Sequence, residues 1–209
     1  MSMAATSLWL DRDPLVLASR SAGRRALLEA AGIAVELRPA DVDERAAEEA
    51  ARRSGADAKG VAVALAGVKA LAVSGACPER VVLGADQTLD LDGEALHKPA
   101  SRQEAAAHLR RMSGREHRLH SAVHIRRGGE VILSAVETAA LTMRPLSDDM
   151  IARYLDAAGG AVLSSVGAYQ LEELGIHLFE RIEGDHFTIL GLPLLPVLAG
   201  LRSAGLVAS

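Results

Sequence analysis

The placing of turn signals between apolar segments constrains this chain most. Two long segments, His117 to Arg127 and Glu130 to Met143, flank Gly128-Gly129 and predict a β-hairpin. A shorter hairpin is predicted from Thr88 to Leu91 and Glu94 to Leu96, turned by Asp92-Gly93. Earlier, the pattern is different. Leu15-Val16-Leu17-Ala18 is a short apolar run of the buried-strand type. Ser19 or Ser21 can then cap a helix through Ala26, Leu27 and Leu28 that stops at Gly32. Ala34 to Arg38 alternates as a second strand and ends at Pro39. Strands and helices that alternate first, with hairpins following, exclude a pure parallel sheet and predict a mixed α/β fold.

Further helices are expected over Glu44 to Arg53, Asp57 to Val73 and roughly Leu194 to Ala204. Another begins at Ser147, with Met150, Ile151, Tyr154 and Leu155 on one face. Ser101 and Glu104 form a capping box for one more, ending near Ser113-Gly114. A strand from Arg80 to Ala85 leads into Asp86. Late in the chain, Ile176 to Glu183 and His186 to Leu190 read as strands around a Gly184-Asp185 turn.

At 209 residues the chain suits one medium domain or two small lobes. No low-complexity linker or internal repeat divides it, so residues 1–209 are read as a single domain. Apolar residues make up 49% of it but aromatic ones only 2%, so Ala, Leu and Val must fill the core. A formal net charge of −4 argues against nucleic-acid binding by a basic surface. The lone cysteine, Cys77, fits a reducing compartment and reads as a structural thiol. Met1 to Pro14 has no sustained apolar run, and the apolar stretch Val61 to Val73 carries Lys69 and is too short to span a bilayer. A cytoplasmic protein away from membranes is expected.

Four segments could carry chemistry, and each has a plainer explanation. Ser19 to Arg25 follows a buried strand at a helix start, where free N–H groups, hydroxyls and Arg24 can hold phosphate. A capped helix with solvated arginines is the alternative. Val82 to Thr88 places Asp86 at a strand end after Gly84, able to bind a metal or take a proton from water, or simply to close the strand as an Asx-turn. In His97-Lys98-Pro99 the proline keeps Lys98 extended, so the lysine can reach into a cleft or remain at the surface. Asp41-Val42-Asp43-Glu44 would, if extended, put Asp41 and Asp43 on one side and Glu44 on the other. Magnesium needs only one or two such carboxylates, yet a solvated acidic loop also accounts for the run.

Other arrangements are missing. The glycines before Lys69 have the wrong spacing for a P-loop, and no G-x-G-x-x-G, G-x-S-x-G or H-E-x-x-H occurs. Of His117, His120 and His124, only the last two share a strand face, and no cysteine lies near them, which speaks against zinc.

The order of these segments resembles the Maf family of nucleotide pyrophosphatases. The matching stretches are Leu17 to Ser21 with Arg24, Leu27 and Leu28; Asp41 to Glu44; Lys69-Ala70; Gly84-Ala85-Asp86; Asp92-Gly93 through Lys98-Pro99; Ser113-Gly114-Arg115; Gly167-Ala168-Tyr169; and Glu180 to Asp185 with Gly191 to Leu194. The resemblance implies an elongated α/β sheet flanked by helices, with two lobes around a central cleft, usually paired as a homodimer. It implies hydrolysis of a nucleoside triphosphate to its monophosphate and pyrophosphate, a house-cleaning reaction, with Mg2+ or Mn2+ as cofactor. Asp86 takes the place of the catalytic acid-base; Ser19, Arg24, Lys69 and Lys98 match groups that hold the triphosphate; Glu44, with Asp86, matches the metal site. Two other readings stay open: a nucleotide-binding regulator of septum formation and cell division, and a phosphatase releasing single phosphates.

Three positions depart from the commoner family pattern. The first motif reads Ser21-Ala22-Gly23-Arg24 instead of Ser-Pro-Arg-Arg, Gln87 replaces the usual threonine after the aspartate, and Glu172 stands for a glutamine. These positions contact or flank the base in the family. Gln87 with Glu172 resembles the branch acting on 7-methylated guanine nucleotides, although Gly23 does not match that branch. A carboxylate there suits a cationic base that presents N–H donors.

Overall fold

The computed structural model describes residues 8–208, so the start of the Met1 to Pro14 stretch lies outside them. The chain opens with strand β1 (Leu15–Leu17), helix α1 (Ala22–Ala30) and strand β2 (Val35–Leu37), and β1 pairs parallel with β2. Of the two serines that could cap α1, Ser21 does so, accepting from the Arg24 amide at 3.3 Å. Gly32, at φ +77, then turns the chain out of the helix, a conformation that carries little penalty without a Cβ.

Helices α2 (Glu44–Arg53) and α3 (Ala58–Ala76) precede strand β3 (Val81–Leu91). α3 has 19 residues, running past the expected end at Val73 to Ala76, and is apolar enough by length and composition to cross a bilayer. Here it lies against β3 and β5 instead, with Lys69 buried near its middle. Gly84 permits that approach. A Cβ there would stand 2.3 Å from the Ala66 carbonyl oxygen and 2.6 Å from the Ala70 nitrogen.

β4 (Glu94–Leu96) turns back antiparallel on β3 through Asp92-Gly93, both at positive φ as such a tight hairpin turn requires. α4 (Arg102–Met112) carries the expected cap: Ser101 accepts from Glu104 N, while the Glu104 carboxylate reaches back to the Ala100 amide. β5 (Glu116–Arg127) and β6 (Glu130–Met143) form the long hairpin, and α5 (Asp148–Ala158) follows with Ser147 as its cap. The sheet order is β2-β1-β3-β5-β6-β7, with β4 paired to β3; only β1's pairings are parallel. This is a mixed α/β fold, a seven-stranded sheet flanked by helices.

Two late expectations are corrected. Residues Leu174–Leu178 form a 3-10 turn, and strand β7 begins only at Phe179, ending at Glu183. His186–Ile189 is helix α6, not a strand. The Asp185 carboxylate accepts from the Thr188 amide at 2.9 Å and the Thr188 hydroxyl at 3.1 Å, so Gly184-Asp185 starts a helix where a hairpin turn was expected. The chain closes with α7 (Leu194–Ser203).

The two largest core clusters lie at opposite ends of the long strands, with smaller apolar groups under α3. One gathers Leu15, Leu17, Leu28, Leu83, Ile125 and Val197; the other gathers Leu89, Leu109, Leu119, Leu141, Ile151 and Tyr154. β3 belongs to both, and Asp86 sits between its two apolar halves. β1 pairs with β3 only at Val82 and Leu83, and β4 only from Leu89 to Leu91. Among the described residues the strand edge between them has no strand neighbour, and the site opens there.

Candidate active site

A cleft of about 1320 Å³ surrounds this gap. All the residues singled out from the sequence line it: Ser19, Arg24, Glu44, Lys69, Asp86, Gln87, Lys98 and Glu172. Asp86 stands in the interior of an eleven-residue strand, not at its end as expected. It reaches the cleft because β1 has already stopped and β4 has not yet begun. Strand alternation puts Gly84, Asp86 and Thr88 on the α3 side and Gln87 on the other. Thr88 Oγ1 accordingly donates to the Ala58 carbonyl at the start of α3, at 2.8 Å.

On the α3 side, the Lys69 ammonium lies 2.5 Å from Asp86 Oδ1 and 2.9 Å from Glu44 Oε2. The Lys69 and Asp86 side chains are 10% and 12% exposed, whereas Glu44 is 56% exposed. Glu44 opens α2, and Asp43 is that helix's cap, accepting from Ala46 N at 2.9 Å. The acidic run is therefore not extended through Glu44: Asp43 is spent on the helix, and Glu44 is left to face Lys69. Two carboxylate oxygens thus converge on one cationic point. That donor set fits Mg2+ or Mn2+, whose remaining positions phosphate and water would fill. Among the described residues no three His, Cys, Asp or Glu side chains form a metal cage.

Arg24 is held by the protein at two of its nitrogens. Nε donates to the Gly191 carbonyl at 2.8 Å, and Nη1 to the Ala85 carbonyl at 2.9 Å and Ser19 Oγ at 3.2 Å. Nη2 keeps no protein partner among the described residues and remains for an anion. Burial lowers the Arg24 pKa from its ordinary value, while Asp86 and Glu44 raise it; a guanidinium so placed stays cationic. Lys98 and Glu172 are exposed at the cleft and have no hydrogen bond or ion pair to described residues.

On the opposite sheet face, Gln87 Nε2 donates to Ser121 Oγ at 2.9 Å, the Ile189 carbonyl at 3.0 Å and the Thr188 carbonyl at 3.1 Å. Ser121 and Thr188, both wholly buried, were not among the residues expected to matter. Ser121 gave no sequence signal, being one polar residue among many in its strand. The arm bearing Glu172 is shaped by a tight turn: Ala168 lies at φ 57, and Ser165 Oγ both accepts from the Tyr169 amide and donates to its carbonyl. Tyr169 is thereby turned inward, with its hydroxyl 2.7 Å from His117 Nε2. Burial pushes His117 down to about 4. Of the other histidines, His120 Nδ1 meets Thr138 Oγ1 at 2.9 Å, and His124 packs against Gly67 of α3.

The fold and site define an α/β protein whose cleft gathers cations, a carboxylate pair and a polar recess beyond it. The chain belongs to the Maf family: the family model described as Maf-like protein matches residues 14–204. A relative from Nitrobacter winogradskyi, named nucleoside triphosphate pyrophosphatase, is 56% identical over 203 residues, covering 97% of this chain and 99% of that one. Another from Rhizobium etli, named 7-methyl-GTP pyrophosphatase, is 52% identical over 193 residues, covering 92% of this chain and 97% of that one. A solved HAM1 protein from Coxiella burnetii overlaps 62% of this chain and 72% of its own, with 15% identity and a TM-score of 0.43.

Proposed function

We propose that this chain is a nucleoside triphosphate pyrophosphatase, cleaving between the α- and β-phosphates. It is a hydrolase of the Maf family, as the curated relatives' names agree. The observation that carries the reaction is the Glu44–Lys69–Asp86 cluster in the gap beside β3, in a cleft also lined by Arg24 and Lys98. Water attacks the α-phosphorus and gives its proton to the Asp86 carboxylate. The bond from that phosphorus to the bridging oxygen breaks, and the oxygen leaves with pyrophosphate. Lys98 and Arg24 Nη2 pair with the phosphate oxygens where negative charge builds. Lys69 holds Asp86 in place and adds positive charge from the α3 side. Glu44 and Asp86 would hold Mg2+ or Mn2+, which when bound neutralises phosphate charge and makes its water more acidic.

Gln87 and Glu172 also line the cleft, and we assign them to the base. A carboxylate and an amide oxygen suit a base edge rich in N–H donors, as guanine presents, and a cationic ring adds attraction to Glu172. The proposed substrate is 7-methyl-GTP, matching the name of the Rhizobium etli relative. We also place the protein in the cytoplasm, consistent with one buried free cysteine, and as a homodimer, as the family resemblance implies. The test is kcat/KM for 7-methyl-GTP against dTTP, UTP and CTP. A preference for 7-methyl-GTP supports the substrate, and a clear preference for dTTP overturns it.

A further inference from the structure

The Gln87 amide is not free to choose which end it shows the cleft. Its Nε2 faces three acceptors, and two of them are the backbone carbonyls of Thr188 and Ile189, which cannot donate. The third partner, the Ser121 hydroxyl, could in principle serve either end of an amide. Its hydrogen is committed to the Thr188 carbonyl at 2.7 Å, so it turns a lone pair towards Gln87. Ser121 sits opposite Gln87 in the β3–β5 register and is wholly buried, so water does not compete for either bond. One small hydroxyl thus ties two strands of the sheet to α6. It also gives the amide nitrogen a third acceptor beside the two carbonyls that fix its polarity.

We infer that Ser121 is a positioning residue for base selection, working with the Thr188 and Ile189 carbonyls to hold Gln87 so that Oε1 faces the nucleotide as an acceptor. This rests on the reading of the cleft as a nucleotide site. Oε1 lies at the cleft wall beside Gly191, where a Cβ would be 3.6 Å away. Glu172 lines the same cleft and can only accept when ionised. The base end therefore offers acceptors from both groups and selects bases that present donors. Ser121 touches neither the base nor the phosphates. It acts through Gln87, and through the Thr188 carbonyl that seats α6.

The experiment compares wild type, Ser121→Ala and Ser121→Thr, with 7-methyl-GTP, GTP and dTTP, read both as KM and kcat and as Kd by calorimetry. Ser121→Ala is expected to weaken binding of the donor-rich guanine nucleotides about fivefold, the scale of one hydrogen bond. It leaves dTTP within about twofold and leaves kcat for the preferred nucleotide unchanged, because the reacting groups lie on the other sheet face. Ser121→Thr, which keeps the hydroxyl, restores the wild-type pattern. An equal loss for all three nucleotides, a fall in kcat at unchanged KM, or no change at all overturns the inference. If Ser121→Ala does not fold, Ser121→Thr and Ser121→Cys carry the comparison, with selectivity kept only by the hydroxyl. A wild type that binds nucleotides without cleaving them sinks the pyrophosphatase reading alone, since the Kd comparison still decides the role of Ser121.

Discussion

Replacing Lys69 by Met removes the one ammonium that both Asp86 and Glu44 contact and leaves a side chain of similar length on α3. Glu44 is more than half exposed, so water takes over its share and little is lost there. Most of the loss falls on Asp86, because its side chain is only 12% exposed and an unpaired buried carboxylate is costly. Breaking a buried pair from one side destabilises by about 3–5 kcal/mol. Arg24 also attracts Asp86, which places the expected loss near the lower end, about 3 kcal/mol. For a chain of this size each kcal/mol moves the melting temperature by about 2–4 °C, so Lys69→Met should melt about 6–12 °C below wild type. The assay is a reversible thermal melt at low and high salt, and the drop persists at high salt because the pair is buried. Magnesium should raise the melting temperature of the variant more than that of wild type, since a bound cation takes the place of the ammonium. A shift below about 2 °C, or a larger drop from Glu44→Gln, would refute the assignment of Asp86 as the dominant partner.

Two further outcomes follow from packing and burial. Gly84→Ala forces a methyl onto the α3 backbone, so urea unfolding should show a loss at or above the ~1–3 kcal/mol of ordinary overpacking, with activity falling as Lys69 is pushed from Asp86. An unchanged urea midpoint would show that α3 can move away freely. His117 is neutral in the fold, its pKa depressed to about 4, while the unfolded chain binds the proton from about 6.5 downward. The unfolded state therefore holds more protons between those values, and wild type should lose about 3 kcal/mol as pH falls from 6.5 to 4. His117→Gln should flatten that part of the stability–pH curve, and an equally steep curve in the variant would assign the acid sensitivity elsewhere.

Much of the fold could be read from local chemistry. The caps at Ser21, Ser101 and Ser147, the Asp92-Gly93 turn and the long hairpin all work through short-range hydrogen bonds that leave a residue pattern. α6 was missed because its four residues are too few for a helical period, and a Gly-Asp pair marks a turn as readily as a cap. The candidate site was legible as separate pieces. Its assembly was not, because the opening beside Asp86 depends on where β1 ends and β4 begins along β3, a matter of register between distant segments. Ser121 was hidden for the same reason: its importance comes from lying opposite Gln87 and beneath Thr188.

In the proposed pyrophosphatase reaction Asp86 is the proton acceptor. The most direct test of this is phosphorus NMR of the products from a nucleoside triphosphate with magnesium or manganese, run with wild type and Asp86→Asn. Wild type should yield monophosphate and pyrophosphate in equal amounts, and Asp86→Asn should be slower by about 10²–10⁴-fold, the usual worth of a positioned acid-base group. Diphosphate with single phosphate from the wild type, or an undiminished rate in Asp86→Asn, would contradict it.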